Sequence, residues 1–253
     1  MIDIKTTDEI AIMKHGGHIL SDVLGSVMAA VKPGVSELEL DQLAEKLIKE
    51  RGGEPGFKKV KGYHHTICMS TNDVVVHGIP GSYRFKEGDM VGVDCGVFYK
   101  GFHTDMSDSV RIKRKGEAKK TEEDIFLETG KHALDEAIKM AVIGNRIGHI
   151  SHTIQKIVEG KGYAVVRNLI GHGVGRNLHE EPEVPGYLSG KIERTLLLRE
   201  GMTIAIEVIY NMKTPDVVLD GDGWTIRTAD GALAGLYERT VAITKDGPLM
   251  LTA

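Results

Sequence analysis

Two aspartates flank an otherwise apolar, glycine-containing stretch, Asp94 to Asp105 (DCGVFYKGFHTD). If the chain reverses around Tyr99 and Lys100, this stretch forms a β-hairpin in which Asp94 lies opposite Asp105. Like charges directly opposed across strands are destabilising, so the pattern predicts a bound cation between them. The alternative is a slipped register that leaves both acids in solvent.

Two glutamates occupy comparable positions later in the chain. Glu207 ends the apolar run 202–206, and Glu238 lies inside the strand-like run 236–243. A glutamate within a buried strand is costly unless it is paired or bound to a metal. Together with the two aspartates, these acids carry four negative charges, which two divalent ions would neutralise.

Three histidines, His77, His172 and His179, lie beside the predicted strand ends that carry the acids. A lone histidine is more often structural, but this grouping favours metal binding or substrate contact. The glycines around His172 (GHGVG) lack the GxGxxG spacing and run into the proline-containing HEEPEVP, which excludes dinucleotide binding. Four carboxylates and one imidazole suit Mn, Fe or Co and are compatible with Zn. Two divalent metal ions held close together can lower the pKa of a water molecule that they bind. The resulting hydroxide could hydrolyse an amide or an ester.

Trp224 is the only tryptophan of the chain. A turn at Asp230 and Gly231 would form a hairpin that sets Trp224 across from Glu238. The tryptophan is then either plain core or the wall of a substrate pocket beside the metal.

Amphipathic helices come in two pairs that must position these residues. Capping patterns at Thr6/Glu9 and Ser36/Glu39, together with helical spacing of apolar residues and terminal glycines, mark the first pair. The first two predicted helices run from Thr6 to a stop at 32–34 and from Ser36 to Gly52. The second two run from Thr121 to Gly144, and through Ile150 to Gly160. Each pair is followed by sequence rich in Val, Ile and Thr with glycine turns, which is typical of strands.

The strand regions repeat as well. Glu87–Asp94 (EGDMVGVD) aligns without a gap with Glu200–Glu207 (EGMTIAIE), and both segments end in an acid. His77-Gly-Ile-Pro is echoed by His179-Glu-Glu-Pro. Coincidence between short glycine-rich matches is the alternative to an internal duplication. We interpret the chain as a single catalytic α+β domain, 1–253, with pseudo-symmetric halves of approximately 1–115 and 120–253 facing one site.

Composition narrows the classes of protein. The chain has 253 residues and a formal net charge of -4, which gives no overall basic field for nucleic acid. Two cysteines in no CxxC pairing exclude a disulfide scaffold, and neither a signal peptide nor a membrane span is evident, so a reducing cytoplasm is expected. The basic segment 111–120 (RIKRKGEAKK) is either a solvated connector or a transient contact with the ribosome or another nucleic acid.

Five motifs then resemble the type I bacterial methionine aminopeptidases over nearly the whole chain. They are NDVVVHGIP (72–80), VDCGVFYKGFHTD (93–105), GHGVGRNLHEEP (171–182), IAIEV (204–208) and LYERT (236–240). The resemblance implies the pita-bread fold, in which two α/β halves surround a central antiparallel sheet. It also implies removal of the initiator methionine from nascent or short peptides when the next residue is small.

The resemblance implies a role for each site residue. The metal ligands would be Asp94 on one ion, Asp105 and Glu238 bridging both, and His172 with Glu207 on the other. Glu207 would be the general base, His179 would hydrogen-bond the carbonyl oxygen, and His77 would contact the substrate near the scissile amide. The methionine side chain would lie among Tyr63, Cys68, Leu178 and Trp224. The cofactors would be two divalent ions of Co, Mn, Fe or Zn, and we expect a monomer.

The sequence departs from the family pattern at four positions. Val208 replaces a common proline, Leu178 a common phenylalanine, Arg239 a common histidine, and Lys61 a polar or aromatic residue. None of these removes a ligand, but Leu178 predicts a looser pocket.

Two rival functions remain. A proline-directed aminopeptidase or prolidase shares the ligand set but carries an extra N-terminal domain, for which we expect no room here. A non-catalytic binding module for peptides, histones or RNA typically loses ligands, all of which are present.

Overall fold

The computed structural model describes residues 2–253. The α-helices are α1 (Thr7–Ala30), α2 (Glu37–Glu50), α3 (Glu122–Lys139) and α4 (Ile147–Gly160). The strands of the first half are β1 (Glu54–Pro55), β2 (Ile67–Thr71), β3 (Val74–Val76), β4 (Met90–Tyr99) and β5 (Phe102–Arg111). The remaining strands are β6 (Ala164–Val165), β7 (Gly171–Gly173), β8 (Glu180–Val184), β9 (Thr203–Asn211), β10 (Val217–Leu219), β11 (Ile226–Thr228), β12 (Ala234–Thr244) and β13 (Gly247–Met250).

The predicted helices are confirmed, and local chemistry explains where they start. The hydroxyls of Thr6, Ser36 and Thr121 each accept a hydrogen bond from the backbone N–H three residues on, in complete capping boxes. In the second pair, α3 ends at Lys139, before the predicted stop at Gly144, while α4 ends at Gly160 as predicted. No helix within residues 2–253 is long and apolar enough to span a membrane.

The strands form one large antiparallel sheet and a small one. In the large sheet the order is β1-β4-β5-β12-β9-β7-β8, with β2, β13 and β6 pairing β4, β12 and β9. The strands β5 and β12 meet at the centre, where Glu238 pairs with Ser107. Helices α1 and α2 pack on the side of β4 and β5, while α3 and α4 cover β9 and β12. The small sheet has the order β10-β11-β3.

The β4–β5 hairpin forms, but its predicted register is wrong. Asp105 pairs with Gly96 and Asp94 pairs with Ser107, so the two aspartates are diagonal neighbours on one face of the sheet. The two-residue turn consists of Lys100 (φ 46°) and Gly101 (φ 93°). A turn of this kind needs positive φ at both central residues, which glycine adopts without cost, and this fixes the turn one residue later than predicted.

The predicted pairing of Trp224 with Glu238 is also wrong. Strand β11 pairs with β10 and β3, while β12 pairs with β9, β5 and β13. Glu238 therefore lies opposite Glu207, not opposite the tryptophan. Partners that are distant in sequence replace the local hairpin.

The aligned segments adopt matching backbone conformations. In each, a turn with a glycine at positive φ, Gly88 or Gly201, precedes the strand that carries the acid. At the junction between the halves, Arg111 ends β5 with its guanidinium buried between the carboxylates of Glu117 and Asp124. The basic junction is therefore anchored at its first residue, whereas most of 113–120 is exposed.

Helix α1 contacts the C-terminal segment closely at Gly17. A Cβ atom at this position would lie 2.1 Å from the carbonyl oxygen of Leu251, whereas at Gly25 on the same helix nothing lies within 4 Å. We expect Gly17→Ala to lower the free energy of unfolding by about 2–3 kcal/mol, because backbone cannot move aside cheaply. In urea unfolding, the control Gly25→Ala should be neutral or stabilising by up to about 1 kcal/mol. Equal effects of the two substitutions would contradict this packing.

Candidate metal centre

Five potential ligands come from five different strands that converge at the middle of the large sheet. They are Asp94 on β4, Asp105 on β5, His172 on β7, Glu207 on β9 and Glu238 on β12. The contact between β5 and β12 brings the acids of the two halves together, because it places Glu238 beside Ser107 while β9 places Glu207 opposite Glu238.

Three of the five candidate ligands offer atoms close enough to hold a common ion. Atoms of Asp105, His172 and Glu238 all lie within 4.8 Å of one another. The His172 Nε2 atom lies 3.5 Å from Glu207 Oε1. Asp105 and Glu238 are only 4% and 2% exposed.

Burial and mutual repulsion raise the pKa of every acid in the centre. Burial raises the pKa of Asp94 to about 7. Burial also raises the pKa of Asp105, Glu207 and Glu238 well above the usual range, and nearby carboxylates add to this. Without a cation, burial of four carboxylates so close together favours their neutral forms.

The donor set fits divalent cations. Within residues 2–253, the buried atoms Asp94 Oδ1 and Glu238 Oε1 have no hydrogen-bond partner, and a bound ion would satisfy such oxygens. The His172 Nδ1 atom lies 2.9 Å from the carbonyl oxygen of Gly173, to which it donates, so the lone pair is on Nε2. Burial lowers the pKa of His172 to about 3, so the imidazole is neutral and able to ligate.

Two more histidines flank the ligands. The rings of His172 and His179 are in edge-to-face contact with centroids 4.3 Å apart. His77 follows β3 with φ 55°, a strained conformation for a residue other than glycine, and burial lowers its pKa. Burial lowers the pKa of His179 as well, so His77 and His179 can each offer a neutral imidazole to a substrate beside the candidate ligands.

An apolar wall adjoins the centre. Tyr63 and Trp224 are in edge-to-face contact with ring centroids 5.2 Å apart, and Cys68 and Leu178 are buried in the same cluster. The Tyr63 hydroxyl donates to the carbonyl oxygen of Ile67 at 2.7 Å, which holds the ring in place. Burial raises the pKa of the Cys68 thiol, which is therefore neutral. This surface suits a soft, unbranched apolar side chain.

The structure places all eleven residues predicted as metal ligands, catalytic groups or substrate contacts around one cavity of about 270 Å³. The sequence did not point to eight other lining residues: Phe57, Val60, Val76, Leu169, Ile170, Gly171, Glu183 and Ile209. One signal for Phe57 existed, since Gly96 interrupts β4 and a Cβ there would lie 2.7 Å from the Phe57 ring.

The fold and the carboxylate-rich site define a metallopeptidase. The model of metallopeptidase family M24 matches residues 11–245 of the chain. The methionine aminopeptidase of Clostridium perfringens is 41% identical over 252 residues, covering 100% of this chain and 99% of that protein. Methionine aminopeptidase 1 of Bacillus subtilis is 38% identical with the same coverage. The chain belongs to the methionine aminopeptidases of family M24, and it is a metal-dependent hydrolase.

Solved structures agree with this assignment. The crystal structure of the Thermotoga maritima methionine aminopeptidase superposes with a TM-score of 0.94 at 38% identity, covering 100% of this chain and 99% of that chain. The prolidase of Pyrococcus furiosus has a TM-score of 0.78 at 24% identity, and the match spans 65% of that chain, which shows a shared fold only. The predicted pita-bread fold is confirmed, and the proline-directed alternative is not favoured.

Proposed function

We propose that this metallopeptidase removes the N-terminal methionine from nascent and short peptides whose second residue is small. The observation that carries this proposal is that an apolar surface suited to a methionine side chain adjoins the cluster of buried candidate ligands. Tyr63, Cys68, Leu178 and Trp224 line the same cavity as the acids. The apolar wall and the acids therefore face the same space, where a methionine side chain and its peptide bond can be held together.

We further propose that two divalent ions, of Co, Mn, Fe or Zn, bind here. Asp94 would hold one ion, His172 and Glu207 the other, and Asp105 and Glu238 both. The unpartnered oxygens of Asp94 and Glu238 and the four-carboxylate charge support this number of ions. The chemistry that such ions supply when bound is polarisation of the scissile carbonyl and a lower pKa for water.

The protein side chains would complete the reaction. Glu207 would accept the proton of the attacking water and pass it towards the leaving amine. His179 would donate a hydrogen bond to the carbonyl oxygen as negative charge develops there, and His77 would hold the scissile amide. The free α-amino group of the substrate would lie against the acidic centre, which restricts cleavage to chain ends.

Other properties belong to the same proposal. We propose a single catalytic domain built by internal duplication, acting as a monomer in the cytoplasm, where the free thiols of Cys68 and Cys95 stay reduced. The exposed cations of the junction, Lys113, Arg114 and Lys115 among them, would give a transient ribosome contact. Their replacement should weaken co-sedimentation with ribosomes, and unchanged co-sedimentation would refute this contact.

Metal removal tests the central proposal. We expect chelated protein to release no methionine from Met-Ala-Ser and to regain activity when single ions are added back. Release from Ala-Pro peptides should stay at background throughout. A metal-free protein as active as the metallated one would refute the mechanism, and preference for Ala-Pro would establish the proline-directed alternative.

The side chain of Leu178 should set the breadth of specificity. Since leucine is smaller than the phenylalanine common at this position, we expect measurable cleavage of tripeptides that begin with leucine or norleucine. Leu178→Phe should reduce cleavage of these peptides relative to methionine peptides by about tenfold, a typical effect of a small volume change in an apolar pocket. A tripeptide panel in which only methionine is released by the unmodified protein would contradict this expectation.

A further inference from the structure

The side chain of Lys5 is buried, although it lies in the short segment that precedes α1. Its side chain is 2% exposed, and its ammonium nitrogen donates to Glu180 Oε2 at 2.5 Å. It also donates to the carbonyl oxygen of Asp3 at 3.2 Å. A buried ion pair seldom stabilises a protein more than apolar residues of similar volume would. We therefore ask which part of the structure this ion pair holds in position.

Glu180 connects this lysine to the loop that carries two cavity residues. The carboxylate is 10% exposed and follows His179 directly in the chain. While Oε2 accepts from Lys5, Oε1 accepts a hydrogen bond from the backbone N–H of Asn177 at 2.9 Å. One side chain thus fixes both ends of the segment 177–180, which presents Leu178 and His179 to the cavity.

The backbone of the loop around Gly175 packs tightly against the Lys5 side chain. A Cβ atom at Gly175 would lie 2.3 Å from Lys5 Cε, so the loop backbone rests directly on the lysine side chain. The carbonyl oxygen of Gly175 accepts a hydrogen bond from the backbone N–H of His103 at 2.6 Å, two residues before Asp105 on β5. The backbone N–H of Lys5 donates to the carbonyl oxygen of Gly201 at 2.8 Å, which anchors the lysine itself.

The position of the Glu180 carboxylate depends on the positive charge of Lys5. The other acid near the ammonium group is Asp3, whose Oδ2 lies 3.3 Å away and whose side chain is 46% exposed. Asp3 can therefore be solvated without Lys5, whereas Glu180 would be left as a nearly buried anion. An unpaired buried carboxylate is strongly disfavoured, so Glu180 would turn towards water and release Asn177.

We propose that Lys5 is a positioning residue, which acts through Glu180 to hold His179 and Leu178 in the geometry that the reaction requires. This inference rests on the proposed function, in which His179 contacts the carbonyl oxygen of the substrate. The N-terminal segment is then a working part of the active site, although Lys5 touches neither substrate nor metal.

The test uses Lys5→Met, Glu180→Gln and the double variant, each in the full chain loaded with metal. Methionine keeps the length of lysine, and glutamine keeps an acceptor for Asn177. We expect Lys5→Met to lower kcat for Met-Ala-Ser by about tenfold or more, with a smaller change in KM, since a displacement of about 1 Å can cost up to a hundredfold. Calorimetric titration should show metal affinity within about twofold of the unmodified protein, well below the 10- to 100-fold loss caused by changing a residue that supports a ligand.

The double variant separates positioning from stability. With both charges removed, no buried ion is left unpaired, so its kcat should exceed that of Lys5→Met. Asp3→Asn, which removes the exposed acid, should have the kcat of the unmodified protein. If Lys5→Met does not fold by circular dichroism, the comparison moves to Glu180→Gln against the double variant, where a faster double variant supports the inference.

Several results would overturn the inference. The first is an unchanged kcat in folded Lys5→Met. The second is a loss of kcat that is fully explained by a lower metal content. The third is a double variant whose kcat equals that of Lys5→Met, or that of Glu180→Gln where Lys5→Met does not fold. If the unmodified, metal-loaded protein itself releases no methionine, the proposed function fails instead.

Discussion

Replacing Asp105 by asparagine should abolish methionine release almost completely while making the metal-free protein more stable. Asp105 is buried where acids from both halves meet, and its carboxylate is one of the two proposed to serve both ions. We expect kcat to fall by at least about a thousandfold. A bound metal ion stabilises the charge of a transition state by several kcal/mol, and loss of that stabilisation corresponds to a rate decrease of this size. In chelated samples at pH 7.5 the melting temperature should rise. Because folding raises the pKa of the Asp105 carboxyl, the group must take up a proton or remain a disfavoured buried anion at a pH above its unfolded pKa, and either costs folding free energy.

The neighbouring acid Asp108 provides a matched control for this variant. It lies on the same strand but binds the guanidinium of Arg239, with Oδ2 at 2.9 Å, and does not line the cavity. Asp108→Asn should therefore keep metal binding and most of the activity, so its melting temperature should still rise when metal is added, unlike that of Asp105→Asn. Calorimetric titration and thermal melts with and without metal measure both properties. Full metal occupancy in Asp105→Asn would refute the proposal that Asp105 is a metal ligand.

The elements predicted well are those determined by local chemistry. Helix starts depend on a hydroxyl or carboxylate within one turn, and Thr6, Ser36 and Thr121 supply it. The hairpin between β4 and β5 was predictable for the same reason, but its register was not, because it depends on which residue takes positive φ most easily. Placing Gly101 at the second turn position instead of centring on Tyr99 would have given the observed pairing.

The elements predicted poorly depend on partners far away in sequence. A turn at Gly231 suggested a local hairpin for Trp224, yet β12 pairs with β5 and β9, whose residues lie far away in sequence. The segment Phe57–Lys59 forms a single short turn of 3₁₀ helix, too short for any hydrophobic period to reveal its inward side. Phe57 and Val60 therefore escaped sequence reasoning, although they line the cavity.

The candidate site was more predictable than the topology because its chemistry leaves few alternatives. A carboxylate in a buried strand must find a proton or a cation, and Asp94, Asp105, Glu207 and Glu238 all occupy such strands. That argument points to candidate ligands even when the strand pairing is unknown. It cannot assign roles to His77 and His179, whose imidazoles could serve structure equally well, and these roles came from the family resemblance.

His179→Ala should therefore separate transition-state stabilisation from metal binding. We expect kcat for Met-Ala-Ser to fall by about 10²–10³-fold, as when one donor to a developing oxyanion is removed, with KM changed far less. The ion content should stay that of the unmodified protein, because His172 keeps its own orientation through the hydrogen bond from Nδ1 to the Gly173 carbonyl oxygen. His179→Asn, which retains a donor, should recover part of the loss.

His18→Ala provides the comparison, since this histidine is exposed on α1 and outside the cavity. Its kinetics should match those of the unmodified protein. Metal analysis of each purified variant decides between two explanations of a slow His179→Ala enzyme. A loss of ions would mean that His179, in ring contact with His172, supports the metal centre instead of the carbonyl oxygen. Full occupancy with unchanged kcat would show that neither role is correct.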